Sequence, residues 1–134
     1  MKGAEVQKQV DWTHYDFQQY MSKARWSSIW HQLHEVQKAA PQTVLEVGPG
    51  PNVFKSVAAN MGIRVETIDI DPELNPDHVG PASDMPFAAN SYDAVCAFQV
   101  LEHMPYEVSL KAFQEMVRVS RGRIIIRLPD AEKV

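Results

Sequence analysis

The sequence predicts an α/β fold in which a parallel sheet is covered on both faces. Three observations carry that expectation. Short β-branched, apolar runs at Thr43–Val47, Arg64–Ile70, Tyr92–Phe98 and Arg123–Leu128 alternate with helical periodicities or turn-rich crossovers. A bare turn, Gly48-Pro49-Gly50-Pro51-Asn52, joins the first run to a helix start, so a ligand can approach the main chain there. Acidic residues stand at successive strand ends, Asp69 after the second and Asp84 after the third, and in such sheets ligands bind at the carboxyl ends of the strands.

The chain of 134 residues is read as one domain, with 45% hydrophobic and 22% charged residues. Residues 1–12 read as a mobile arm and 13–134 as a single unit, with a helical cap over 13–40 and the α/β core over 43–128. The net charge is −4 and the Lys/Arg residues are scattered, which argues against DNA as a partner. One cysteine, Cys96, rules out a disulfide framework within the chain, and the polar start shows no signal-peptide core. With no apolar run long enough to span a bilayer, the expected setting is cytoplasmic, without a membrane partner.

Taken in order, residues 13–21 predict a short helix with Tyr15, Phe17, Tyr20 and Met21 on its apolar side. Ser22 is an N-cap for a longer helix, whose stripe of Trp26, Ile29, Trp30, Leu33 and Val36 is expected to pack on the sheet. Pro41 ends it. After the first strand, Asn52 is expected to N-cap a helix carrying Val53, Phe54, Val57, Ala58 and Met61, with Gly62 in the left-handed position beyond it. Between Pro72 and Asp84, three prolines leave room for one helical turn and a short third strand near His78 and Val79. The crossover from Gly80 to Ser91 is long enough to reach the fourth strand without a helix. A helix over Val108–Val119 is expected to turn Leu110, Phe113, Met116 and Val117 inward, and Gly122 to cap it before the fifth strand.

The strand ends outline a ligand with a ribose and an amino-bearing base. A carboxylate at Asp69 can accept two ribose hydroxyls, and Asp84 can accept a purine amine. Singly, a glycine turn and a strand-end aspartate also serve as ordinary structural turns and caps. Glu46 beside the turn would repel a phosphate and suits an ammonium group. His31 and His34 share a helix without a third ligand, so no metal is expected. Cys96 lies within an apolar strand and reads as a buried thiol. Trp26 and Trp30 read as core.

Four motifs together resemble the class I S-adenosylmethionine-dependent methyltransferases, the type 11-like group: Val44-Leu45-Glu46-Val47-Gly48-Pro49-Gly50, Glu66-Thr67-Ile68-Asp69-Ile70-Asp71-Pro72, Asp84-Met85-Pro86-Phe87 through Tyr92-Asp93, and Phe98-Gln99-Val100-Leu101-Glu102-His103. The resemblance covers roughly Thr43 to Leu128. It implies a Rossmann-like, doubly wound sheet of about five strands in the order 3-2-1-4-5, with N-terminal helices and S-adenosylmethionine as cofactor, leaving S-adenosylhomocysteine as product. It also implies that Glu46, Gly48, Gly50 and Asn52 hold the methionine end and Asp69 the ribose. Ile70 and Met85 flank the adenine, and Asp84 bonds its amine. Phe98 and Gln99 face the amino-acid part, with Gln99 nearest the entering substrate. Gln99 and His103 are the weak candidates for a catalytic role, with Glu102, His14 and His31 behind them as bases. Tyr15, Tyr20 and Arg25 are candidates for a lid. Asn52 departs from the pattern, since a third glycine is common there.

The family usually continues past the fifth strand with a helix and two more strands, and the chain reads as short of these. An open fifth-strand edge at Arg123–Leu128 therefore predicts a homo-oligomer through that edge. The function expected is methyl transfer to a small molecule by direct displacement. The Phe98-Gln99-Val100-Leu101 sequence argues against amino groups of bases or glutamine, whose enzymes carry an Asn/Asp-Pro-Pro-aromatic sequence there. The alternative is a non-catalytic cofactor-binding module or partner subunit. A nicotinamide dehydrogenase is disfavoured because Val53 stands where its fingerprint needs glycine.

Overall fold

The computed structural model describes residues 21–128. The expected arm, the helix preceding Met21, His14, Tyr15 and Tyr20 lie outside the described residues. Five strands form one all-parallel sheet in the order β3-β2-β1-β4-β5, with β1 at Thr43–Val47, β2 at Arg64–Asp69, β3 at His78–Val79, β4 at Tyr92–Phe98 and β5 at Ser120–Arg127. The helices are α1 (Lys23–Lys38), α2 (Val53–Asn60) and α3 (Tyr106–Val119). Short 3₁₀ turns cover Pro72–Leu74 and Leu101–His103. This is the doubly wound, Rossmann-like order that the family resemblance implies.

β1 lies between β2 and β4, with Val44 opposite both Val65 and Ala94. A strand buried on both faces reads as a continuous apolar run, which explains Val44-Leu45-Glu46-Val47 with its single polar interruption. Leu45, Val47, Ile68, Val95 and Ala97 meet α3 and the 80–91 crossover on one face. Val44, Val65, Ala94 and Cys96 meet α1 and α2 on the other. The crossover carries no helix, and its end is pinned where Ser91 N donates to Val119 O at 2.8 Å. Below it, Tyr92 donates its hydroxyl to Glu66 Oε1 at 2.8 Å, and His78 Nε2 meets the same oxygen at 2.9 Å. No helix among the described residues is long and apolar enough to cross a membrane.

Ser22 caps α1 as expected, accepting from Arg25 N at 3.1 Å. Three other expectations need correction. On α1 the buried stripe is Ile29, Gln32, Leu33 and Val36, while Trp26 is 47% and Trp30 58% exposed. The helix is rolled to bury Gln32 on one flank, which leaves the indoles outside the narrow surface offered by α2 and the sheet. Trp30 instead stacks on His34, with ring centroids 5.0 Å apart, and meets His31 edge-on.

On α3 the inward residues are Val108, Ala112, Met116 and Val119. Leu110, Phe113 and Val117 are exposed. Both sides of this helix are apolar, so periodicity alone does not choose between them. Ala112 permits close approach to the sheet, and Glu115 and Arg118 must reach the crossover, which sets the roll. Gly122 does not end the helix: α3 passes into β5 at Ser120, whose Oγ accepts from Gly122 N at 2.9 Å and Arg123 N at 3.0 Å. Gly122, at φ +138°, then serves the register shift where β5 meets the start of β4.

Candidate functional site

The strand order reverses between β1 and β4, and a crevice forms outside the carboxyl ends of strands at such a switch point. The segments following β1, β2 and β4 meet there. After β1 the backbone is left-handed at alternate residues: Gly48 at φ +69°, Gly50 at +58° and Asn52 at +65°. Glycine is needed at 48 for a second reason. A Cβ at Gly48 would lie 2.6 Å from Val100 Cγ2, so the loop after β4 closes directly on the main chain after β1. The sequence reading missed Val100, which looks like any apolar residue beyond a strand. Only the fold brings it 52 positions back along the chain.

Asn52 does not act as the expected side-chain N-cap. It is left-handed, makes no capping bond, and donates Nδ2 to Leu74 O at 3.1 Å. This ties the loop after β1 to the 3₁₀ turn after β2. Lys55 adds a second tie between the same regions, at 2.7 Å from Asp77 Oδ2. Asn52 tolerates the left-handed geometry that a third glycine would otherwise supply.

Glu46 is the chemically unusual residue. Its carboxyl is 4% exposed, and Oε1 is buried without a hydrogen-bond partner. Burial pushes it up to about 8; Lys55 opposes the shift and Asp69 adds to it. Asn52 Oδ1 is a second buried acceptor without a partner. An unpaired acceptor is costly to bury, so two beside one loop mark a place suited to a donor-rich ligand. Asp69, at the end of β2, is raised chiefly by burial, while the backbone N–H of Asp71, 2.9 Å from Oδ1, pulls it down.

The other expected site residues are distributed as follows. Ile70 and Phe98 are half-buried at the ends of β2 and β4, and Phe98 packs edge-on against Phe54 at 5.1 Å. Gln99 is left-handed at φ +57°, a strained position for a non-glycine residue, and its N–H donates to Arg127 O at 2.7 Å. Asp84 is exposed. Met85 is buried, in one cluster with Leu45, Ile68 and Val95. Glu115 accepts from Met85 N at 2.8 Å, and Arg118 donates to Met85 O and Phe87 O at 3.0 and 2.7 Å. This clamp was also missed, because an i, i+3 Glu–Arg pair looks like a solvated helix face.

His103 is exposed in the 3₁₀ turn after β4, 3.7 Å from Glu102 Oε2. His31 and His34 lie on α1 and join no ligand cluster. No group of three or more His, Cys, Asp or Glu suited to a metal is gathered among the described residues. Cys96 is buried beside Glu46, and burial, then the Glu46 charge, push its thiol up.

Comparison with known proteins agrees with this geometry. Residues 45–126, more than half of the chain, match the family model described as a methyltransferase domain. An uncharacterized methyltransferase of Mycobacterium sp. (strain JLS) is 32% identical over 107 residues, covering 71% of this chain and 40% of that protein. The chain thus spans about two fifths of the length of that relative. Among solved structures, the PH0226 protein of Pyrococcus horikoshii OT3 superposes with a TM-score of 0.72 at 20% identity, covering 87% of this chain and 57% of that one. A SAM-dependent methyltransferase from Aquifex aeolicus gives 0.57 at 19% identity, covering 83% and 68%. These two likenesses concern the fold. The family match, extending from the third residue of β1 nearly to the end of β5, makes this chain a member of the methyltransferase domain family.

Proposed function

We propose that this chain is an S-adenosylmethionine-dependent methyltransferase domain that transfers a methyl group to a small-molecule acceptor by direct displacement. The carrying observation is Glu46: a buried carboxyl with an unpartnered oxygen, next to a loop of left-handed, bare backbone. Burial keeps this carboxyl protonated near neutral pH in the free chain; an ammonium supplies the charge and donors that favour its ionised form, which a phosphate would disfavour. The family and fold point to the same cofactor.

In this reading the bare loop lets the cofactor's carboxylate approach the main chain at Gly50, since the N–H groups of Gly48 and Asn52 already donate to Ile68 O and Pro49 O at 3.0 and 3.2 Å. Glu46 and Asn52 Oδ1 accept from the ammonium, and Asp69 accepts ribose hydroxyls. Ile70 and Met85 border the adenine, with Asp84 accepting its amine and Phe98 and Gln99 facing the amino-acid tail. When bound, S-adenosylmethionine supplies an electrophilic methyl on a sulfonium. The chain contributes alignment and exclusion of water. Gln99, held in its strained conformation by the Arg127 carbonyl, orients the acceptor. A base is needed only for an acceptor protonated at working pH, and His103 is then the nearest histidine by sequence to the end of β4. The acidic charge and single buried cysteine fit a small, non-nucleic-acid acceptor in the cytoplasm.

Titration calorimetry with S-adenosylmethionine, S-adenosylhomocysteine and a nicotinamide dinucleotide, followed by a turnover screen over small acceptors, tests this. Binding of the first two and release of S-adenosylhomocysteine are expected. Binding of the dinucleotide alone would overturn the cofactor assignment, and binding without turnover would reduce the domain to a binding module.

A further inference from the structure

The crossover from Gly80 to Ser91 carries neither helix nor strand, so no hydrogen-bond ladder of its own fixes its main chain. α3 does this instead. Glu115 Oε1 accepts from Met85 N at 2.8 Å, and Arg118 donates to Met85 O at 3.0 Å and to Phe87 O at 2.7 Å. The two side chains brace each other as well, since Arg118 Nε and Nη2 donate to Oε2 and Oε1 of Glu115 at 2.7 and 2.9 Å. A bidentate, charge-assisted pair of this kind is held in one geometry. At the end of the helix, the carbonyls of Arg118 and Val119 accept from Asn90 N and Ser91 N at 2.9 and 2.8 Å. The crossover is thus seated on α3 from Met85 to Ser91.

The pair holds the part of the crossover that bears two of the proposed purine contacts, Asp84 and Met85. A peptide unit is planar, so a fixed Met85 N–H also fixes the carbonyl end of Asp84. Pro86 has no N–H and a locked φ, which leaves little play between Met85 and Phe87. Burial in one cluster with Ala112 and Met116 of α3 sets the depth of Met85. Asp84 itself is exposed. Its carboxylate belongs to the same charge cluster: the Arg118 guanidinium is held above its ordinary value by Glu115 first and by Asp84 after it.

Given the proposed role of Asp84 as acceptor of the purine amine, on which this rests, we infer that Glu115 and Arg118 are positioning residues for the purine. Acting through Met85, they aim the Asp84 carboxylate and so set how strongly the domain prefers a base that bears an exocyclic amine. On a free crossover, an exposed carboxylate would have to be ordered at the moment of binding, and that cost would cancel most of what the amine returns. Ordering it during folding lets the bond to the amine appear in the affinity.

Titration calorimetry with two probes tests this: S-adenosylhomocysteine and its deamino analogue, whose purine lacks only the exocyclic amine. The wild-type chain is expected to prefer the first by about tenfold, the low end for a hydrogen bond to a charged group, because Asp84 is exposed. Glu115→Gln leaves one acceptor where the pair needs two, and Arg118→Lys replaces a planar fork with a point charge that cannot span the same partners. Both side chains reach solvent, so both variants are expected to keep the wild-type circular dichroism. Their preference is expected to fall to about threefold or less, mainly through lost affinity for the amine-bearing probe. A loss of stability alone would weaken both probes in parallel, so an intact ratio in both variants would overturn the positioning role. Two variants that do not fold would also overturn it, by leaving the pair a structural role only. Failures of the underlying assignment look different. A wild-type chain that binds neither probe would defeat the cofactor, one that binds both equally would defeat Asp84 as the amine acceptor, and the proposal would fall with either. A preference lost in Asp84→Ala but kept in Glu115→Gln and Arg118→Lys would overturn the proposal alone.

Discussion

Val100 stands against Gly48 so closely that a Cβ on Gly48 would be 2.6 Å from Val100 Cγ2 and 2.9 Å from Cγ1. The two loops that form the crevice are thereby interlocked through one missing methyl group. Gly48→Ala must displace Val100 and also hold a side chain at φ +69°. The expected cost is about 2–4 kcal/mol, from overpacking and left-handed strain together. Cofactor affinity should fall with it. Denaturant unfolding is the measurement, and a variant within error of wild type would remove the interlock.

Asn52 separates two effects that a single substitution would mix. Asn52→Gly keeps the left-handed backbone and loses only the bond to Leu74 O, at an expected cost of roughly 0.5–1.5 kcal/mol. Asn52→Ala loses the bond and also meets left-handed strain, about 1–2 kcal/mol more. Equal stability of the two variants in urea titrations would show that backbone geometry is not what selects asparagine here.

Asp69→Ala is expected to weaken S-adenosylmethionine binding by about 1–3 kcal/mol, the range for unpairing hydroxyls in a desolvated cleft. Calorimetry on the variant decides it. An unchanged dissociation constant would sink the ribose assignment while leaving the fold intact.

Glu46 makes stability depend on pH in an unusual direction. Its carboxyl goes from 4.5 to about 8 on folding, chiefly by burial. Between those values the folded chain holds a proton that the unfolded chain has released. This contribution is therefore fully present below the unfolded value, declines as pH rises, and levels off above the folded one, with a slope of at most about 1.4 kcal/mol per pH unit. Glu46→Gln should flatten that decline and be the more stable protein under alkaline conditions. Guanidinium unfolding at acid, neutral and alkaline pH checks this; parallel curves for both proteins would contradict it.

Trp30 and Leu33 test the roll of α1. Trp30→Ala removes a largely exposed indole and should cost under about 1 kcal/mol, whereas Leu33→Ala, in the buried stripe, should cost about 2–5 kcal/mol. Thermal unfolding would reverse that order if the indoles were core.

Much of the fold was legible because its signals are local. Apolar β-branched runs mark β1, β2 and β4 to within a residue, since a strand buried on both faces leaves little choice of residue. The helixless crossover followed from chain length, and Gly48, Gly50 and Asp69 could be picked out because bare turns and strand-end carboxylates are sequence-local. Helix orientation was less accessible: α3 is apolar on two sides, and only the bonds from Glu115 and Arg118 to the crossover select which side is buried.

By itself, then, the sequence determined the order of elements, the parallel sheet and the chemical character of the residues along its carboxyl edge. The tertiary structure decided what those residues do to one another. Asn52 bonds Leu74 instead of capping α2, Val100 closes on Gly48, and Glu46 loses its water when β1 is enclosed by β2, β4 and the helices. Each depends on contacts between distant parts of the chain, and the energy of burying a carboxyl or fitting a valine against bare backbone exists only once those parts have met.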